Sequence, residues 1–497
     1  MSKENVTTHL EQQPILPPEE IGALALHGAS DDTNPIEIKE VQTKESDLGL
    51  LSAAQYRERR SDTLLNNPEA ALDEETEIAK YFARQEQSYV DEIKGLANLS
   101  RPMKQSVRAV VTLIGYSEGS RIKHTLEEYA KQDIDPSLFE IVMLDNHPEG
   151  IPDDGTASEV VAFQQEHPEI SITFAQKVWA DGEPATVGNA RRHAFDIALA
   201  RVSARDALDG STVLISNDAD AVAVAPNYLS SIINEFEAKP DKDGLVTRMN
   251  LPDEVLAKPN VAAGFLVLGG LEESLEEGSV EAGLGKEPAT FVGRSSAVRA
   301  SVYAAVGGFN QDAVIAEDAE LSWMIADARN WDAERVVRFD DTTIVTDPRR
   351  HLDAIMNKVP FNQMLFNFQS RPDLRQMSND EILDQIPAAL DWELLEGEVN
   401  DGWQAQFSGY KRFGDRFEPL FKTAMTKLGI EYEVVDGNVA LKNVNGLLDL
   451  LSKDGKPIEV VHSEPRAYTP ELIEQLKSFF GALPRGVIEA RNSSTGR

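Results

Sequence analysis

The period of the apolar positions changes along the chain, and each change predicts a different kind of element. Residues 1–48 set Pro14, Pro17, Pro18 and Pro35 among acids with no sustained period, which predicts a disordered acidic arm. Over 49–100 the texture turns to helix formers. Ile78, Phe82, Tyr89 and Ile93 recur at i+3 and i+4, predicting two helices in an extension that packs onto the neighbouring sheet region. Residues 101–355 alternate short β-branched runs with amphipathic stretches, the pattern of a βαβ sheet protein. Strands are expected at 107–116, 139–146, 170–176 and 211–220, with helices at 121–132 and 188–202. The second half repeats the alternation: helix 227–238, strand 244–250, a small-residue segment at 289–309, helix 317–330 and strand 336–347. The Gly- and Glu-rich stretch 271–288 between them has no apolar period and reads as an inserted loop. Residues 356–497 form a mainly helical region, with one hairpin expected to turn at Asp436-Gly437.

Composition narrows the classes of function. Hydrophobic residues at 41% and charged residues at 27% are ordinary globular values, so most of the chain can build a core. Lys plus Arg number 48 against 84 Asp plus Glu, a net charge of -36 that repels phosphate backbones and argues against nucleic acid as a partner. The absence of cysteine removes disulfides, thiolate metal sites and thiol nucleophiles, leaving oxygen and imidazole as the metal ligands. The first twenty residues lack a basic n-region and an apolar h-region, and no apolar run reaches transmembrane length, so the expected compartment is the cytoplasm.

The chemistry concentrates at predicted strand ends. Asn217-Asp218-Ala219-Asp220 closes the strand at 211–220, and open α/β sheets bind ligands at the carboxyl ends of their strands. Two carboxylates spaced i, i+2 can place one oxygen on a hard divalent cation, Mn²⁺ or Mg²⁺, that bridges diphosphate oxygens. Upstream, the first strand ends in Gly115-Tyr116-Ser117-Glu118 and the second in Leu144-Asp145-Asn146; downstream, Ala316-Glu317-Asp318 opens a helix. Gly188-Asn189-Ala190-Arg191-Arg192-His193-Ala194 precedes the acidic strand, Val302 to Gly307-Gly308-Phe309 comes after it, and Thr346-Asp347-Pro348-Arg349-Arg350-His351 comes last.

This order over about 107–352 resembles the family 2 glycosyltransferases of the GT-A fold, a Rossmann-like mixed sheet flanked by helices. The resemblance implies a metal-dependent, inverting transfer of a sugar from a nucleotide-diphosphate donor to a hydroxyl acceptor. It implies Asp218, Asp220 and His351 as metal ligands, and Asp318 as general base with Glu317 as its rival. Donor contacts would come from Tyr116, Glu118, Asp145, Asp181, Asn189, Arg191, Asp218, Arg349 and Arg350. Whether Arg191 or Arg192 faces the donor stays open, because neighbours on a helix point about 100° apart. Departures exist: the first strand ends without the usual Pro and Asn, and the acidic motif reads NDAD where D-A-D-D is commoner. Other readings are a sugar nucleotidyltransferase, disfavoured by a first loop poor in Gly and Lys, and a non-catalytic binding or scaffold module, disfavoured by four acids kept in this order.

Overall fold

The computed structural model describes residues 49–116, 118–148, 154–179, 186–206, 210–252, 286–314 and 316–349 with a few isolated positions, and the strand segments 431–435, 438–443, 452–453 and 456–457. The acidic arm, the loop 271–285, the expected C-terminal helices, and Asp181, Arg350 and His351 lie outside the described residues. Eight strands form one sheet: β1 (Ala109–Gly115), β2 (Phe139–Pro148), β3 (Ser171–Trp179), β4 (Val213–Asp218), β5 (Ala221–Val224), β6 (Gly244–Asn250), β7 (Ser296–Arg299) and β8 (Val336–Thr346). Their order is β3-β2-β1-β4-β7-β6-β8-β5. The run from β3 to β4 is parallel, β7 enters antiparallel to both β4 and β6, and β5 pairs antiparallel with β8. The expected mixed α/β sheet flanked by helices is what the chain forms. A separate antiparallel pair, β9 (Glu431–Val435) with β10 (Asn438–Asn443), matches Val435 with Asn438, while the expected turn residues Asp436 and Gly437 lie outside the described residues.

Side chains alternate across the strands and divide the core into two layers. Val110, Val142, Leu214 and Val298 face one side; Val111, Ile141, Ile215 and Ala297 face the other. The first layer is covered by α7 (Val187–Ser203), α9 (Ala300–Val306) and α10 (Glu317–Ala328); the second by α5 (Arg121–Ala130), α6 (Thr156–Glu166) and α8 (Tyr228–Ala238). The helix α6 is not among those expected.

Residues 53–97 hold four helices where the apolar spacing predicts two: α1 (Ala53–Arg59), α2 (Asp62–Asn66), α3 (Glu74–Ala83) and α4 (Gln87–Ala97). Two have local reasons to start where they do. Ser52 and Gln55 form a reciprocal capping box for α1, and Asp73 accepts from the Thr76 amide at the head of α3. These helices lie over the α7 layer through buried polar contacts. Arg59 donates to the carbonyls of Gly307 and Phe309 (2.7 and 2.9 Å), and Arg205 pairs with Glu74 at 3.3 Å. Asp196 on α7 accepts from the hydroxyls of Tyr81, Tyr89 and Tyr303 (2.8, 2.7 and 3.2 Å). Gly307 and Gly308 hold φ of +98° and +70°, a backbone region that side chains rarely enter, which is why the end of α9 reads Gly-Gly. No helix among the described residues is long and apolar enough to cross a membrane.

Candidate active site

Register brings the strand-end acids together. Gly115 pairs with Asp145 across β1 and β2, and Ile114 pairs with Asp218 across β1 and β4, so both aspartates stand at one carboxyl edge. Strand alternation then sorts the NDAD motif. Ser216 and Asp218 point to the α7 side, whereas Asn217 is wholly buried on the opposite side, donating to the Tyr129 hydroxyl and accepting from that of Tyr228 at 3.1 Å. The asparagine beside the acid pair is therefore a core residue of the other layer.

Helix α7 resolves the arginine ambiguity. Arg192 turns to the N-terminal helices, donating to Gln311 and Gln85 (2.6 Å each) with its guanidinium 4.8 Å over the Tyr89 ring. Arg191 turns into the site and is buried there. It donates from Nε to Glu317 Oε1 (2.6 Å), from Nη1 to Ser216 Oγ (2.6 Å) and the Gly293 carbonyl (2.7 Å), and from Nη2 to Asp218 Oδ1 (2.8 Å). Thr186 caps the helix by accepting from the amide of Asn189 at 3.0 Å, and Asn189 in turn offers its carbonyl to His193 Nδ1 at 2.9 Å. Burial lowers the His193 pKa, so this histidine is a neutral packing residue, edge-on to Trp179 at 5.0 Å.

The Glu317-Asp318 pair opens α10 behind Ala316, which sits at φ +61° as a non-glycine residue in the left-handed region. Glu317 is 4% exposed, while Asp318 is half-buried and more open. Asp318 accepts from the Gly293 amide and, at 2.7 Å, from the Ala319 amide. Burial raises both carboxyl pKa values: Glu317 is pushed up to about 7 by burial and the Asp318 charge, with Arg191 opposing. Burial also works against the charge of Arg191, yet Asp218, Glu317 and Asp318 hold its guanidinium protonated above the ordinary arginine range.

A second cluster adjoins the first. Arg349 Nη2 lies 3.2 Å from Asp220 Oδ2 and 3.4 Å from Glu118 Oε2, and its Nε is 2.9 Å from Asp347 Oδ1. Arg121, the first residue of α5, stands 3.7 Å from the other Asp347 oxygen. Burial and the neighbouring Arg349 charge lower the Arg121 pKa. Arg294 spans the two clusters, with Nε 3.5 Å from Asp218 Oδ2 and Nη1 3.2 Å from the Thr346 hydroxyl. Asp145 is buried and accepts from Gln176 at 3.2 Å, and Tyr116 is 40% exposed at the rim.

Sequence reasoning names Asp145, Arg191, Asp218, Asp220, Glu317, Asp318, Glu118 and Arg349, which lie at strand ends or reach them through the contacts above, whereas Asn189, also named, is described only in contact with Thr186 and His193 on its own helix. That reasoning passes over Arg121, Arg294, Ser216 and the turn at Gly293. A Cβ on Gly293 would collide with the Arg191 guanidinium, so the glycine in the turn before β7 was the readable signal there. Asp218 and Asp220 supply hard oxygens at a strand end. Carboxylate oxygens are the donor type that a hard divalent cation takes, and among the described residues no group of three or more His, Asp or Glu forms a ligand cluster.

Neither a protein-family profile nor a curated protein matches the chain. Solved structures do match, remotely. The chain is similar to the mannosyltransferase PcManGT from Pyrobaculum calidifontis, solved with GDP-Man and Mn²⁺, at 18% identity over 71% of this chain and 98% of that one, with a TM-score of 0.35. It is similar to residues 1–349 of S. aureus TarS at 13% identity over 72% of this chain and 100% of that one, with a TM-score of 0.31. It is also similar to M. tuberculosis glucosyl-3-phosphoglycerate synthase at 12% identity over 60% and 85% of the two chains, with a TM-score of 0.28.

Proposed function

We propose that this chain transfers a sugar from a nucleotide-diphosphate donor to a hydroxyl acceptor by a single inverting displacement, with Mn²⁺ or Mg²⁺ as the cation. The observation that carries the reading is the Arg191 guanidinium, which ties the strand-end carboxylate Asp218 to the helix-opening pair Glu317-Asp318. A displacement with inversion needs a leaving-group site and a base on opposite sides of one sugar, and a strand-end carboxylate with a separate acidic pair at a helix head supports that assignment.

Asp218 and Asp220 would hold the cation, and when bound it offsets the diphosphate charge that a chain of net charge -36 would otherwise repel. Phosphate pairing is assigned to Arg349, which already lies among the carboxylates Asp220, Glu118 and Asp347, with Arg121 and Arg294 adding positive field beside it. Asp145 accepts hydrogen bonds from the nucleoside, and Tyr116 borders it. Asp318, the more open of the helix pair, takes the acceptor hydroxyl proton as the new glycosidic bond forms and the anomeric carbon–phosphate oxygen bond breaks. Two backbone amides fix its orientation, while Glu317 anchors the head of the helix on Arg191.

The test is release of nucleoside diphosphate from a panel of nucleotide-diphosphate sugars with Mn²⁺ or Mg²⁺. Asp220→Asn should bring release to background. Asp318→Asn should lower kcat by about 10²- to 10⁴-fold with donor binding retained, the usual contribution of a general base. A folded wild-type protein that turns over no donor with either metal would sink the reading and favour a binding module.

A further inference from the structure

Arg191 holds a position that its neighbours in the helix do not explain. A buried guanidinium usually serves one carboxylate in a fork; this one splits its edges, Nε on Glu317 at 2.6 Å and Nη2 on Asp218 at 2.8 Å. Both partners are largely buried, with side-chain exposures of 4% and 12%, so solvent does little to screen either pair. Its Nη1 donates to the carbonyl of Gly293, whose amide donates to Asp318. A displacement of the guanidinium is therefore passed to Glu317 directly and to Asp318 through one residue. Gly293 lies so close that a Cβ there would collide with the guanidinium, so a side chain at this position would displace it.

We infer that Arg191 is a positioning residue that couples the donor half of the site to the base half, because Asp218 and Glu317 compete for one guanidinium. A cation that engages Asp218 releases part of the Arg191 charge to Glu317 and steadies the head of α10. In reverse, neutralising Glu317 removes one of the two carboxylates bonded to Arg191, strengthens its hold on Asp218 and makes that carboxylate harder for a cation to capture. Coupling of this kind is reciprocal, so it is readable in binding without any turnover. The inference rests on the transferase reading for the identity of the ligands, Mn²⁺ with a nucleoside diphosphate.

The experiment is a double-mutant cycle on Mn²⁺ binding, measured through the loss of the free-ion EPR signal in the presence of UDP or GDP. Glu317→Gln should weaken binding by about 5-fold or more, within the usual range of allosteric coupling. In an Arg191→Lys background, which keeps the charge but cannot fork between two carboxylates, the same substitution should change binding by less than about 2-fold. Gly293→Ala, which pushes the guanidinium aside, serves as a second background and should reduce the effect in the same way. Direct attraction between Glu317 and the ion would act alike in all backgrounds, so an equal effect in each overturns the coupling. A Glu317→Gln effect below about 2-fold in otherwise wild-type protein overturns it whatever the Arg191 variants do. If folded wild type binds no Mn²⁺ with either nucleotide, the transferase reading falls and the coupling falls with it.

Discussion

At the residue scale, the two acids that open α10 illustrate how burial and a shared cation divide labour between adjacent side chains. Glu317 is closed in and held by Arg191, and Asp318 is more open and held by amides. Both pKa values are raised, so the ionised base that the proposed reaction needs would be lost at a higher pH than for a free carboxylate. In consequence kcat/KM falls as pH drops, and its acid limb lies above the ordinary aspartate value of 3.8, toward the value of about 7 to which burial pushes Glu317. The limb belongs to the pair, since the two carboxyls interact. Glu317→Gln, which deletes the neighbouring negative charge, should move the limb to lower pH; a pH profile of kcat/KM at saturating metal checks this, and an unmoved limb would assign the base elsewhere. Much of this was legible in the order of the acids along the chain, because a carboxylate at a strand end or helix start is a local feature. The choice between Arg191 and Arg192 was not, because adjacent helix positions have the same local sequence and differ only in which layer they meet. Arg121 and Arg294 were hidden for a related reason: each reaches its carboxylate across the sheet edge from an element distant in sequence.

At the element scale, strand alternation and helix facing decide which members of a motif share a site. Position 217, beside the i, i+2 acid pair, carries no carboxylate, and β4 shows why none is required: the side chain there points into the layer of Tyr129 and Tyr228. Asn217→Asp should therefore leave Mn²⁺ affinity unchanged while lowering the thermal midpoint, because it buries a charge with no cation beside it. Calorimetry with a parallel metal titration would decide, and a gain in metal affinity would contradict the facing. The helices of the N-terminal extension were undercounted for a physical reason. Short helices of five to seven residues, such as α1 and α2, present too few turns for a period to emerge. Their start signals were in the sequence nonetheless, as the Ser52–Gln55 box shows. Strands of the sheet were the easiest to read, since runs such as AVVTLIG are buried on both faces and need no alternation to stand out.

At the scale of the whole molecule, charge and layering set the terms on which ligands arrive. A net charge of -36 surrounds a site with clustered arginines, so for the proposed diphosphate ligand long-range repulsion and short-range attraction would oppose each other. Raising salt from about 10 to about 150 mM shortens the Debye length to about 8 Å and screens the former more than the latter. The association rate of a fluorescent nucleoside diphosphate, measured by stopped flow, should rise over that range; a fall would show that the local basic cluster dominates the approach. The N-terminal helices enter the same account. They bond to α7 through Tyr81 and Tyr89 on Asp196, to the end of α9 through Arg59, and to α10 through the amide of Leu51 on Glu320. A chain begun at residue 101 would leave Asp196 and Arg205 without these partners, and it should be recovered insoluble or without near-ultraviolet dichroism. The acids at the strand and helix ends are thus not a portable cassette. Any graft, fusion or shortened form built from this chain has to carry a scaffold that its acidic motifs do not announce, and a chain that exchanged that scaffold would have to rebuild the back of the site along with it.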